Sequence, residues 1–220
     1  VHTLNRLGFS YKKTKLVPSK ADAEKQKQFV ASYEVIRKNL GNSEKIYFMD
    51  AVHPTHNVMP AYGWIKRGKE KGVKSNSGRQ RININGVYSP IDGEIITRND
   101  DRINSQSTIE LLKTIENKHP ELNKIFIIRD NAKYYSSQLV KEYLETSRIE
   151  FIPLPSYSPN LNLIERLWKF FKKKILYNKY YESFDIFKQV VDDFFQHGVV
   201  EYKKKIKSLL SENFNIMEIV

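Results

Sequence analysis

From residue 19 to residue 40 apolar side chains are sparse, but Phe29, Tyr33, Ile36 and Leu40 recur at i, i+4, i+7 and i+11. That is the stripe of an amphipathic helix, with Ser19 as its cap and Gly41 as its stop. A strand-rich stretch follows. The run Lys45-Ile46-Tyr47-Phe48-Met49 predicts a strand ending at Asp50, and residues 62–66 predict a short second one. Residues 81–88 alternate Ile82 and Ile84, with Val87 and Tyr88 after Gly86, which predicts a third strand with a bulge. Gly93 turns the chain into a fourth over residues 94–98. Ile109, Leu112 and Ile115 mark a helix over residues 105–118 that ends at His119-Pro120. The unbroken apolar run Ile125-Phe126-Ile127-Ile128 reads as a buried strand. Residues 136–147 then read as a helix with Leu139, Tyr143 and Leu144 inward, and residues 150–154 as a strand.

The last third is helical. Ser158 caps a helix whose first residue is Pro159, where the missing N–H does no harm, and Leu161, Ile164, Trp168, Phe171 and Ile175 share one face. A final helix runs from Ser183 to Leu210. Four strands, then alternating helices and strands, describe an α/β fold: a mixed sheet with an antiparallel meander and parallel crossovers, flanked by helices. Residues 1–18 form a basic, helix-like segment too short to bury a core, so they read as the tail of something larger. A linking helix is expected over 19–44 and the main domain over 45–210.

Composition narrows the function. The chain has no cysteine, which excludes disulfides, thiolate zinc sites and a cysteine nucleophile. No apolar stretch approaches the roughly twenty residues of a membrane span, and no signal-peptide pattern opens the chain, so a cytoplasmic protein is expected. The net charge of +12 and pI near 9.6 favour a polyanionic partner. Abundant Lys, Asn and Ile would raise the charge without any function, so the distribution has to decide. Lys66, Arg67, Lys69, Lys71, Lys74, Arg79 and Arg81 crowd a segment whose single acid is Glu70. Lys169, Lys172, Lys173, Lys174 and Lys179 follow Glu165. Clusters flanking candidate acids suit a surface that tracks phosphates, and Lys66, Arg67, Lys169, Lys172, Lys173 and Lys174 are the DNA-contact candidates.

Three acids stand in unusual contexts. Asp50 and Asp130 each close an apolar strand, and 34 residues separate Asp130 from Glu165, which stands within Leu154-Pro155-Ser156-Tyr157-Ser158-Pro159-Asn160-Leu161-Asn162-Leu163-Ile164-Glu165-Arg166-Leu167-Trp168. On the predicted helix Glu165 falls two turns in, beside the inward stripe. Phosphodiester cleavage needs an activated water and stabilisation of the leaving oxygen. Two divalent ions about 4 Å apart supply both, and they need carboxylates converging from a rigid scaffold. Any single acid is more often a solvated surface group. Asp92, Asp100, Asp101, Glu150, Asp192 and Asp193 are rivals, but Asp92-Gly93 reads as a turn, Asp100-Asp101 lies in a polar loop, and Asp192-Asp193 lies mid-helix.

The block from Leu154 to Trp168 resembles the LPPYSPxLNPIExxW signature of the mariner superfamily of cut-and-paste DDE transposases, in its bacterial insertion-sequence branch. The segment from Phe48 through Gly63-Trp64 and Arg67-Gly68 resembles that family's first-aspartate block, and Arg129-Asp130-Asn131-Ala132 its second. The resemblance implies an RNase H-like fold, with Asp50, Asp130 and Glu165 as the catalytic, metal-binding triad; oxygen-only ligands and a phosphate substrate make Mg²⁺ the expected metal, with Mn²⁺ substituting. It also implies DNA as partner (element ends and target), a TA target, action as a homodimer or higher assembly, and residence with the bacterial nucleoid. Residues 1–18 then resemble the end of a truncated helix-turn-helix module. Ala51, Tyr135 and Leu163 depart from the branch, which commonly has an acid, His and Pro there.

Other chemistries have less behind them. The five histidines show no paired metal spacing, Ser156 and Ser158 lack a partnered His and Asp, and no phosphate-binding glycine loop occurs. Trp64 and Trp168 read as core residues. Two alternatives stay open beside a transposase: another nuclease of the RNase H fold, and an inactive DNA-binding remnant.

Overall fold

The computed structural model describes residues 2–10 and 18–217; residues 11–17, within the stretch read as a helix-turn-helix tail, lie outside the described residues. Helix α1 (His2–Arg6) ends near Gly8, whose φ of 81° is left-handed. Helix α2 (Ala23–Lys38) starts later than Ser19 because the Asp22 side chain accepts the Lys25 N–H and caps it there. It ends at Asn39, not Gly41, and buries Gln26, Phe29 and Tyr33.

Five strands make one sheet: β1 (Glu44–Val52), β2 (Asn83–Tyr88), β3 (Ile95–Asp100), β4 (Lys124–Arg129) and β5 (Ile149–Pro153), in the order β3-β2-β1-β4-β5. β2 pairs antiparallel with both β1 and β3, while β4 is parallel to β1 and to β5. This is the expected mixed sheet, one strand short. Residues 62–66 form no strand: Tyr62 and Trp64 are fully exposed and find no neighbouring strand or core to pack on. The loop is instead held at its base by Asn178, which donates to Ala61 O at 3.0 Å and accepts from Ala61 N at 2.9 Å. Nor does Gly86 bulge, since the β1–β2 register runs unbroken from Phe48↔Tyr88 to Val52↔Ile84.

Alternation along the strands divides the interior in two. Tyr47, Met49, Ile125 and Ile127 face α3 (Ser105–Lys118) and α4 (Gln138–Glu145). On α4, Val140 takes the inward position and Leu139 is 46% exposed, contrary to the expected stripe. Ile46, Phe48, Phe126 and Ile128 face the larger layer with α2, α5 (Ile164–Ile175), α6 (Phe184–Asp193) and, after the short α7 (Val199–Glu201), α8 (Lys203–Leu209). The expected single helix from Ser183 to Leu210 is broken by a π-turn at Phe194–Gly198. Phe194 and Phe195 both pack on Phe171, with ring centroids 5.3 and 5.2 Å away, and the wider turn lets two consecutive rings reach one partner.

Candidate active site

The sheet brings the first two acids to one level. β1 and β4 are parallel neighbours with Met49 opposite Arg129, so Asp50 and Asp130 follow side by side; Asp130 lies just past β4, while β1 runs on to Val52, two residues beyond the expected end, because Ala51 and Val52 still pair with β2. Both continue the alternation of Phe48 and Ile128 and therefore belong to the α5 face. Glu165 comes from α5 itself. All three line a single open cleft of about 470 Å³, with Asn162 and the segment from Leu154 to Pro159 as its further walls.

Glu165 is the second residue of its helix, not two turns in. A 3₁₀ turn, Pro159–Leu161, is separated from α5 by Asn162, whose backbone is extended (φ −86°, ψ 107°). The Asn162 amide donates to Met49 O at 3.1 Å and so ties the turn to β1 next to Asp50. Among the described residues its buried Oδ1 has no partner. At the cleft rim Tyr157 adopts φ 59°, a left-handed conformation that non-glycine residues seldom keep without a structural demand.

The site is built to resist negative charge. Burial pushes the Asp50 carboxyl up to about 8, with the charges of Glu165 and Asp130 adding to it; the Ala51 backbone N–H and the Trp168 indole pull the other way. Crowding by protein raises Glu165 too, although much of its surface is open; Lys172 opposes that rise and Asp130 adds to it. Among the described residues none of the three acids forms an ion pair. Three of the rivals are neutralised elsewhere: Asp92 by Lys45 at 2.8 Å, Asp100 by Arg98 at 2.9 Å, Glu150 by Lys124 at 2.7 Å. Asp192 accepts from Asn99 at 2.8 Å, and Asp193 faces His197 at 2.8 Å. Carboxylates in one cleft without an ion pair, and a buried amide oxygen without a donor among the described residues, form an oxygen-only donor set that suits a hard divalent cation. Among the described residues no three metal-ligating side chains close on one point, so this is an open cleft and not a preformed cage.

The basic candidates divide. Lys66 and Arg67 are exposed on the long loop. Lys172 is the lysine whose charge reaches Glu165. Lys169, Lys173 and Lys174 instead line a groove between α5 and α8. Trp168 is a core residue as expected, 1% exposed, but its Nε1–H donates to Asp50 Oδ2 at 3.1 Å. Trp64 is not a core residue. Tyr135, where the branch has His, is buried and donates to Asn85 Oδ1 at 3.0 Å, so its hydroxyl is committed away from the cleft. Asn162 and the second role of Trp168 were missed in the sequence. For Trp168 the one signal was its spacing, three residues after Glu165 on one helix face; Asn162, extended and outside α5, had none.

Comparison with known proteins agrees with this geometry. A family model described as "DDE superfamily endonuclease" matches residues 45–188, and one described as "Winged helix-turn helix" matches residues 2–33. The "Insertion element IS630 uncharacterized 39 kDa protein" of Shigella sonnei is 26% identical over 125 residues, covering 56% of this chain and 36% of that protein. The chain thus spans little more than a third of that relative. Among solved structures, the Mos1 transposase paired-end complex with left transposon end aligns with a TM-score of 0.68 at 18% identity, over 97% of this chain and 70% of that one. The Mos1 mariner paired-end complex with Mn gives a TM-score of 0.68 at 17% identity, over 99% of this chain and 70% of that one. The isolated catalytic domain of Mos1 mariner transposase gives 0.58 at 16% identity, over 91% and 92% of the two chains. These likenesses show a common RNase H-like fold. With the endonuclease model matched across residues 45–188, well over half of its length, the chain belongs to the DDE superfamily of endonucleases.

Proposed function

We propose that this chain is the catalytic part of an insertion-sequence transposase, that Asp50, Asp130 and Glu165 are its metal-holding triad, and that it cuts DNA and joins the freed 3′-hydroxyl to target DNA. The observation that supports this most is the meeting of three unpaired acids from β1, β4 and α5 in one cleft of a DDE endonuclease. Mg²⁺ is the proposed metal, with Mn²⁺ as a substitute; structures of the same fold have been solved with each. When bound, the ions supply Lewis acidity at the scissile phosphate and at the water that attacks it.

The chain's own residues do the rest. Asp50 and Asp130, fixed side by side by β1 and β4, hold the ions, and Glu165 completes the set from α5. Trp168 keeps the Asp50 carboxylate turned into the cleft, and Lys172 holds charge near Glu165 for the incoming phosphate. Lys66, Arg67, Lys169, Lys172, Lys173 and Lys174 are proposed to track the DNA backbone. We read residues 45–210 as the catalytic domain, because Ile206 and Leu210 are buried in its core beyond the matched 45–188. Residues 19–44 are read as a linking helix and 1–18 as the tail of a helix-turn-helix module; the winged-helix match crosses that boundary, running over residues 2–33. Assembly as a dimer or higher oligomer on DNA, in the bacterial nucleoid, belongs to the same proposal.

The test supplies pre-cut duplex ends with free 3′-hydroxyls and scores joining into a plasmid with Mg²⁺ or Mn²⁺. Joining that disappears in Asp130→Asn supports the proposal, because one cluster serves both cutting and joining. Hydrolysis of RNA–DNA hybrids without any joining would point to another nuclease of this fold. Metal binding without either reaction would point to a remnant.

A further inference from the structure

Helix α5 divides two cationic surfaces. Glu165 and Lys172, seven residues apart, share the side that meets the acidic cleft. Arg166, Lys169 and Lys173 are spaced i, i+3 and i+7 and line a groove of about 650 Å³ whose opposite wall carries Tyr202 and Lys205. Among the described residues, no carboxylate lines this groove. Among the described residues, none of its lysines forms an ion pair with any acid.

The groove is a built feature. Lys174 Nζ sits 4.1 Å from the Tyr202 ring centroid, and that ring meets Phe170 edge-on at 5.5 Å. Arg166 donates to Ser211 O at 2.6 Å and to Asn213 O at 2.7 Å, which fixes the guanidinium against neutral acceptors and leaves its charge uncompensated. Ile206 and Leu210, 2% and 1% exposed, anchor α8 in the core. Lys169, Lys173 and Lys205 are left exposed along a fixed framework. The chemistry selects the ligand. Several fixed cations without an acid suit a run of phosphates, and the Tyr202 face that a base would need for stacking is occupied by Lys174.

We propose that the groove between α5 and α8 is a sequence-independent subsite for the phosphodiester backbone of duplex DNA flanking the cleavage site. At 100° and 1.5 Å per residue, Arg166 and Lys173 lie about 100° and about 80° round α5 from Glu165 and Lys169 about 40°, and Lys173 also lies about 12 Å further along the helix axis. A duplex engaged in the cleft therefore reaches the groove only when it continues several phosphates beyond the scissile one. The inference rests on the DNA-processing reading above and extends it to Tyr202 and Lys205, which lie outside the matched residues 45–188.

The test measures binding of the full chain to fluorescent duplexes as a function of salt. One duplex ends close to the cleavage point and one continues well past it, each in two unrelated sequences. The Lys169→Gln/Lys173→Gln/Lys205→Gln variant is expected to bind the long duplex at least about tenfold more weakly. Its log–log salt slope should be shallower by about 2–3, in both sequences alike. The short duplex, the melting temperature and Mn²⁺ binding by electron paramagnetic resonance should be unchanged. Wild-type affinity and slope on the long duplex would overturn the subsite; an equal loss on the short duplex would overturn it by placing the lysines in the cleft. A loss confined to one sequence would overturn its sequence independence. The catalytic reading fails separately, if groove-dependent binding occurs without any metal-dependent cutting or joining. Absence of DNA binding by the wild type would overturn both.

Discussion

The indole Nε1–H of Trp168 donates to Oδ2 of Asp50 across 3.1 Å, one helical turn after Glu165. Helix α5 therefore contributes one acid of the cleft and also orients another, and the separation of two acids depends on how α5 seats on β1. Trp168→Phe keeps most of the packing and deletes the donor. It should lower stability by about 1–3 kcal/mol and weaken Mn²⁺ binding and strand joining about tenfold. A loss of stability with metal affinity intact would show that the indole only fills space.

Gly86 lies opposite Asp50 in the β1–β2 register and leaves the space that Trp168 occupies. A Cβ there would stand 3.0 Å from the Trp168 ring and from Thr97 Cγ2, and 3.3 Å from Ile96 O. Backbone and a packed indole cannot both retreat, so Gly86→Ala should cost about 1–3 kcal/mol. It should also reduce metal affinity in the same direction as Trp168→Phe. In the double variant the affinity losses should be less than additive, because both act through one contact. Full additivity would separate the two.

Tyr62 and Trp64 are 104% and 106% exposed on the loop between β1 and β2. Removing both as Tyr62→Ala/Trp64→Ala should leave the stability within about 0.5 kcal/mol of the wild type. Trypsin should cut first among Lys66, Arg67, Lys69 and Lys71, all exposed on that same loop. A drop of several degrees in the double variant would show these rings packed in solution.

The order of secondary structure and the three acids were legible because apolar runs ending in Asp50 and Asp130 announce strands, and Glu165 sits in a distinctive block. Register then did what a sequence cannot display: it put Asp50 beside Asp130 and Gly86. The misread elements share a cause. Residues 62–66 have strand composition but no partner, Asn162 breaks a helix through a tertiary bond to Met49, and the π-turn at Phe194 answers to Phe171. Each depends on a residue far away in the chain, which periodicity does not report. The division of the α5 lysines was hidden for the same reason, since the second wall of their groove comes from Tyr202 and Lys205.

The raised Asp50 carboxyl has a consequence for stability. In the unfolded chain it titrates near the ordinary aspartate value of 3.8, and in the metal-free fold near 8. Between those values the folded state binds more protons than the unfolded one, so stability falls as pH rises from about 4 to about 8 and then levels. Asp50→Asn removes the charge that burial, Glu165 and Asp130 all oppose, and it leaves an amide oxygen for the Trp168 N–H. In EDTA at pH 8 this variant should therefore be more stable than the wild type, by on the order of 2–5 kcal/mol, with the gap closing towards pH 4. Adding Mg²⁺ should stabilise the wild type by about 2.7 kcal/mol at a hundred times its dissociation constant and leave the variant, inactive in joining, much less affected. Denaturant titrations across that pH range, with and without metal, decide it. A wild type more stable than Asp50→Asn in EDTA at pH 8 would mean that Asp50 is not held against its charge, and that the acids do not crowd one another as the cleft implies.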